Sequence, residues 1–342
     1  MDNPIRWQPI VAKYQSSELK RSLWQVANTL IPFFVLWYAM LRSLEVGYWL
    51  TLLLAIPTAG FVVRVFIIFH DAGHGSFFKS SRANAVIGWI TGIITWTPYD
   101  YWRHDHAVHH ATTGDLDRRG KGDVYTMTVE EYLAAPWWSR TVYRVTRNPL
   151  VMFTVGPLIQ FIVVNRFYPA GTGRRERLSV HLTNLALALV VGLLVWRLGW
   201  QAFVLVEAPV MLLATVAGVW LFYVQHNFDR TYFVRREDWV FFTAGMNGSS
   251  FYKLPRLLQW FSGNIGFHHI HHLSPGIPNY NLEKCYRADP LFQNVERVTL
   301  LSGLKALTYR LWDEEHRTWV GFGQVKALRG GPTRRPADGF TG

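Results

Sequence analysis

Four long stretches of this 342-residue chain are free of charged side chains, and they limit what it can fold into. A helix needs about 20 apolar residues to cross a bilayer core. Ser22 to Leu41 supplies twenty uncharged residues closed by Arg42, and Val46 to Val63 supplies eighteen, resuming after Arg64 as far as Phe69. A third stretch runs from Leu182 to Trp196 and ends at Arg197 and Gly199. The fourth runs from Ala208 to Phe228, with Gln201 to Glu207 as its entrance. Only a few residues separate the first from the second and the third from the fourth, so each pair reads as a helical hairpin. Two shorter stretches, 83–99 and 149–165, hold seventeen uncharged residues each and carry Gly or Pro. Spanning, re-entrant and interfacial placements all fit them.

The expected fold is an all-α integral membrane protein. Four transmembrane helices, at about 22–42, 46–69, 181–199 and 203–227, form two hairpins beneath a helical cytoplasmic cap that carries the polar clusters described below. One membrane-embedded domain covers 1–328, and the Gly/Pro-rich, basic stretch 329–342 reads as a disordered tail. Composition agrees: 50% of residues are hydrophobic and 17% charged, where soluble domains carry about a quarter charged residues. Aromatic residues make up 15%, an excess expected where side chains belt a membrane interface. Cys285 is the only cysteine, which excludes a disulfide framework and any Cys-rich zinc or iron–sulfur site.

The 35 Lys and Arg exceed the 23 Asp and Glu by twelve. In a membrane protein that excess points to membrane lipids and to an acidic protein partner rather than to nucleic acid. The first thirteen residues hold Pro4, Arg6, Trp7 and Lys13 rather than an apolar core, so no cleavable signal peptide is expected. Lys13, Lys20 and Arg21 precede the first span, Arg174, Arg175 and Arg177 precede the third, and Arg230, Arg235 and Arg236 follow the fourth. By the positive-inside rule both termini and the long middle loop are cytoplasmic, in the inner membrane if the cell is bacterial.

The thirteen histidines are not scattered. His70 and His74 lie in HDAGHGSFF at the end of the second span. His104, His106, His109 and His110 lie in WRHDHAVHHATTGDLD, and His268, His269, His271 and His272 in NIGFHHIHHLSPGIPNY. His226, in YVQHNF, marks the end of the fourth span. Residues three and four apart share a helix face. His70 with His74, His106 with His109 and His110, and His268 with His271 and His272 all have that spacing. Each cluster therefore offers converging imidazoles, all on one side of the membrane. Imidazole suits Fe, Zn, Cu and Ni alike. Zinc takes about four protein ligands, whereas eight clustered histidines plus His226 would serve two metals with room for an exogenous ligand. His104 and His269 fall on other faces, where supporting roles are expected. His181 and His316 stand outside the clusters and read as structural.

HxxxH, HxxHH and HxxHH at the ends of four spans resemble the histidine boxes of the membrane fatty acid desaturase family. HDAGHGSFF, HHATTGDLDRRGKGDVYTMTVEEY and NIGFHHIHHLSPGIPNYNLEKCY are similar to bacterial and cyanobacterial acyl-lipid desaturases, particularly the Δ12 type, over roughly 70–286. The resemblance implies a non-haem di-iron centre held by His70, His74, His106, His109, His110, His226, His268, His271 and His272. It implies O2 as co-substrate, a fatty acyl lipid as substrate and removal of two hydrogens to leave a cis double bond. Some relatives place a water-bridging Asn one turn before the extra histidine; here that position is Phe222, so such a role passes to Asn227 or Asn264. Asp71, Asp105, Asp115, Asp117 and Asp123 either orient imidazoles or act as caps and partners of Arg103, Arg118 and Arg119. Trp89, Trp96, Trp220 and Phe222 are candidates to line an acyl tunnel. With no flavin or nicotinamide fingerprint in the chain, electrons come from an external ferredoxin or cytochrome b5-type donor on the basic face.

Two other readings stay open at this point. A di-iron hydroxylase or ketolase of alkanes, sterols or carotenoids shares the first hydrogen abstraction. A His-cluster metal transporter or haem membrane protein is the reading from another class, though a transporter carries its polar ligands at mid-membrane and a haem needs one or two axial ligands. No HExxH is present, which argues against a zinc protease.

Overall fold

A computed structural model describes residues 7–325; the stretch expected to be a tail, 329–342, lies outside the described residues. Four helices in it are long and apolar enough to cross a membrane. They are α1 (Leu19–Ser43), α2 (Tyr48–His74), α6 (Arg174–Leu198) and α7 (Trp200–His226). Between the membrane helices come α3 (Ser81–Ile94), α4 (Tyr99–Thr112) and α5 (Trp137–Thr146). After α7 follow α8 (His268–Leu273) and α9 (Asn279–Ala288).

Each hairpin turns where the sequence lets it. Ser43 Oγ lies 2.7 Å from Thr51 Oγ1 across the first turn. Gly199, at φ +82°, is the single residue joining α6 to α7, and its left-handed conformation is one that glycine adopts without a Cβ penalty. Helix α2 occupies the centre, against α1, α3 and α7. Its Ala55, Ala59 and Val62 interdigitate with Val206, Val210 and Ala214 of α7, small side chains that let two membrane helices approach closely. The outward faces carry Trp24, Phe34 and Val35 on α1 and Leu185, Leu189 and Leu193 on α6, all exposed. In lipid such faces need no further cover.

The two shorter apolar stretches do not form additional straight spans. Helix α3 has fourteen residues, a length of about 21 Å against the 30 Å or so of a bilayer core. It ends before Trp96, at φ +55°. Residues Val151–Arg166 form an irregular helix bent 60° from α5. Arg166 at its end reaches Asn184 Oδ1 of α6 at 2.9 Å and the Trp96 carbonyl. Asn148-Pro149 marks the break, because proline disfavours helical backbone at the residue before it.

The cap lies at one end of the four helices. A parallel pair, β1 (Phe251–Lys253) and β2 (Arg297–Thr299), sets Tyr252 opposite Val298. An antiparallel pair, β3 (Leu311–Asp313) and β4 (Thr318–Val320), sets Trp312 opposite Trp319. Tyr252, Val298, Trp312 and Trp319 pack on Tyr223 and Val224 in the last turn of α7, so the cap and the spans share one core.

Helix α4 is located by Tyr99, whose hydroxyl donates to the Ala72 carbonyl at 2.7 Å and whose ring lies flat on Gly88 of α3. A methyl group at position 88 would overlap that ring. Gly88→Ala is therefore expected to destabilise the fold by about 1–3 kcal/mol, read as a lower thermal midpoint in detergent. An unchanged midpoint would mean that Tyr99 does not fix α4.

Candidate metal centre

Helix α2 runs past the apolar stretch and stops at Gly75, whose left-handed φ of +72° closes the last turn. That extension places His70 and His74 one turn apart on the face turned toward α4 and α8. Helix α4 supplies His106, His109 and His110, the end of α7 supplies His226, and α8 supplies His268, His271 and His272. The nine rings form one continuous cluster. His70, His74, His106, His110 and His271 each offer a ring nitrogen within 4.8 Å of the others, and His109, His226 and His272 do the same beside them. His268 joins this second group, its Nε2 being 2.9 Å from that of His226 and 3.2 Å from that of His272.

The donor spacing fits metal ions. A metal bound to imidazole nitrogen at about 2.0–2.1 Å places adjacent donors of an octahedron about 3 Å apart. The Nε2 atoms of His110 and His106 are 3.2 Å apart, those of His271 and His110 2.9 Å, and those of His109 and His226 3.2 Å. His74 Nε2 is buried and has no hydrogen-bond partner among the described residues, an isolation that a cation would relieve.

Outside the spans, burial holds His106, His109, His110, His268, His271 and His272 well below the usual imidazole pKa, and neighbouring imidazoles oppose protonation further. They are neutral at physiological pH, the form in which imidazole binds a metal. These pKa values are depressed on folding, so the unfolded chain takes up protons first, near pH 6.5. Stability is fully present above that value and is lost as pH falls below it. The thermal midpoint of metal-free protein is expected to drop steadily from about pH 7.5 to about pH 5.5; a flat profile would count against neutral buried imidazoles.

Of the proposed supporting residues, Asp71 alone touches a clustered histidine. Its Oδ1 accepts from His70 Nδ1 at 3.1 Å, and its Oδ2 accepts from Asn279 N and Nδ2 at 2.7 and 2.8 Å. Asp105 instead faces Lys121 at 3.4 Å, and the neighbouring His104 points to solvent, 3.5 Å from Lys121 Nζ. Asp115 pairs with Arg118, Asp117 with Arg235, and Asp123 caps the Gly120 amide. Asn227 donates to the Tyr223 carbonyl and Asn264 to that of Asn279, so neither amide bonds a clustered ring. His269 is buried and bonds the Phe292 carbonyl at 3.0 Å. His181 meets Tyr168 and His316 meets Asp313, away from the centre.

Phe222 lies against His109 and His226, with ring centroids 5.0 and 5.1 Å away, so an apolar wall stands one turn before His226. Trp220 donates to Tyr252, and Trp89 packs in the cluster around α3. The sequence reading missed Trp102, which stacks on His106 at 4.3 Å and 19°. Its place one turn before His106 in WRHDH is the signal that could have found it. It also missed Asn279, whose position at the head of α9 follows from the PNYN segment.

The pattern of the family described as "Fatty acid desaturase" matches residues 47–297. A protein of Bacillus subtilis (strain 168) named "Fatty acid desaturase" is 47% identical over 328 residues, covering 96% of this chain and 92% of that one. An "sn-1 acyl-lipid omega-3 desaturase (ferredoxin)" of Synechocystis sp. is 29% identical over 66% of this chain and 63% of its own length. An "sn-1 oleoyl-lipid 12-desaturase" of Picosynechococcus sp. is 27% identical over 76% of each chain. With nine imidazoles gathered from four helices and a match over most of its length, the chain belongs to the fatty acid desaturase family, a family of oxidoreductases.

Proposed function

We propose that this protein is an O2-dependent acyl-lipid desaturase that inserts a cis double bond into a membrane-lipid acyl chain with two iron ions. The observation that carries this reading is the division of nine converging imidazoles into adjacent groups of five and four. His70, His74, His106, His110 and His271 would hold one iron, and His109, His226, His268 and His272 the other. Five nitrogen donors exceed the zinc pattern of about four, and each group leaves room for a further ligand in a six-coordinate ion. When bound, the irons supply the oxidising power to break two unactivated C–H bonds, which no side chain has. The balance requires two electrons and two protons from outside, so that O2 leaves as two waters while the chain gives up two hydrogens.

The protein's part is to bind, orient and exclude water. Burial keeps His106, His109, His110, His268, His271 and His272 unprotonated and ready as donors, and Asp71 fixes the orientation of His70. Phe222 and Trp102 present apolar surface beside the two groups, suited to a methylene chain. The basic residues that precede the first and third spans and follow the fourth support a cytoplasmic location for the centre and both termini. There an acidic ferredoxin or cytochrome b5-type donor can dock, and the ferredoxin in the name of the Synechocystis relative supports the first kind. A Δ12-type position follows the wording of the histidine boxes and the Picosynechococcus relative.

The test is the acyl profile of a host expressing this chain, by gas chromatography with mass spectrometry. A new unsaturated species fixes both reaction and position. Hydroxylated or ketonic products would replace desaturation with oxygen insertion.

A further inference from the structure

Beside the four-histidine group lies a small cavity of about 30 Å³. Roughly 10–15 Å³ is enough for one water molecule. Its lining joins His109, His226 and Phe222 to Asn227 and to Arg119 and Asp123 of the loop that follows α4.

Two buried polar atoms of that lining are unmatched. Asn227, directly after α7, is buried, and its Nδ2 donates to the Tyr223 carbonyl at 2.8 Å. Its Oδ1 meets no donor among the described residues. Arg119 gives one outer nitrogen to Glu131 and the other to the Leu116 carbonyl, while its buried Nε meets no acceptor among the described residues. Buried polar atoms of this kind are usually satisfied by ordered water.

Asp123 joins the cavity to solvent. It is half-buried, and the preceding Gly120, Lys121 and Gly122 are exposed. Its Oδ1 accepts from the Gly120 amide at 2.8 Å. The charged and titratable groups around the same space are Arg119, paired with Glu131, and the imidazoles of His109 and His226; the adjacent Lys121 is paired with Asp105. His109 and His226 lie nitrogen to nitrogen, and His226 Nδ1 donates to the Gly248 carbonyl, so neither bonds Asp123. Burial raises the Asp123 carboxyl to about 6, although the Gly120 amide and Arg119 pull the other way.

We propose that this cavity holds water and that Asp123 relays protons through it from solvent to the four-histidine group. This deepens the O2-dependent reading and rests on it, since the balance of that reaction requires two protons from outside. In each transfer the Asp123 O–H bond breaks, its proton passes to the cavity water, and that water gives up one of its own protons inward. Asp123, left as a carboxylate, takes its next proton from solvent. No electron travels this path, because both come from the external donor. An acid whose pKa lies near the working pH is the kind best suited to such a transfer.

Asp123→Asn tests the relay, because its amide oxygen still accepts from the Gly120 N–H and keeps the turn. In metal-free full-length protein, the infrared band of a protonated carboxyl should fade as pH rises through about 6, and that band should be missing from the variant. In iron-loaded, chemically reduced protein, O2 consumption should fall as pH rises, with a midpoint displaced downward by the bound cations. In Asp123→Asn the rate should be about 100-fold lower and flat with pH, while iron content and thermal midpoint stay at wild-type values. Asp123→Glu should restore the pH dependence. Equal rates and equal pH profiles in wild type and Asp123→Asn would overturn the relay and leave desaturation standing. So would a carboxyl band that persists in the variant. A wild type that consumes no O2 would overturn the oxygen chemistry itself, and the relay with it.

Discussion

Replacing His271 by Ala is expected to abolish turnover and to strip metal from the five-histidine group. His271 is fully enclosed, with Nε2 2.9 Å from that of His110 and its ring centroid 4.4 Å from that of His70. The substitution leaves His70, His74, His106 and His110 around a gap that no neighbouring donor can fill. Loss of a partner that merely orients a ligand already costs about 10–100-fold in metal affinity or activity, so loss of a donor itself should exceed about 100-fold. Metal content of the purified variant and the acyl profile of its host give the two readouts. Membrane insertion should be unaffected, because His271 lies on the short cap helix α8 and not in a span. His181→Ala is the matched control: its ring meets Tyr168 near the surface, and a change within about 0.5 kcal/mol is expected. Near-normal turnover in His271→Ala would remove that residue from the metal centre.

The spans and the histidine set were legible for different reasons. An uncharged stretch of eighteen or twenty residues has few alternatives to a membrane helix, because lipid cannot satisfy exposed backbone. The three- and four-residue histidine spacings state a shared helix face before any fold is known. What could not be read was which way each flanking polar residue turns. Asp71 and Asp105 both adjoin a clustered histidine, yet Asp71 faces inward to His70 and Asn279 while Asp105 faces Lys121. The choice depends on the elements packed against each helix, which lie far away in sequence. His104 and His269 show the same: each sits off the converging face, but one is in solvent and the other is buried against the Phe292 carbonyl. The break between α5 and Val151–Arg166 falls at Asn148-Pro149, a helix stop that the sequence does display, but the 60° angle at which the chain resumes depends on packing that it does not.

Asp71→Ala should cost nearly as much as removal of a ligand, through two effects that can be measured apart. One carboxylate oxygen accepts from His70 Nδ1, which leaves the Nε2 lone pair free for a metal and holds the ring in place. The other accepts two hydrogen bonds from Asn279, the first residue of α9, just beyond the third histidine cluster. Asp71 thus ties the end of α2 to the segment that follows α8. Metal affinity should fall about 10–100-fold. Loss of hydrogen bonds to a charged group, with buried Asn279 donors left unpaired, should also destabilise the fold by about 1.5–3 kcal/mol. Asp71→Asn separates the two effects. Its amide oxygen can still accept from His70 Nδ1, but its NH2 would then face the donors of Asn279, so affinity should recover in part while the thermal midpoint stays low. A metal titration and a melting curve on the same preparations distinguish these outcomes. Wild-type metal affinity in Asp71→Ala would mean that His70 is oriented by α2 alone and that the carboxylate serves only to anchor α9.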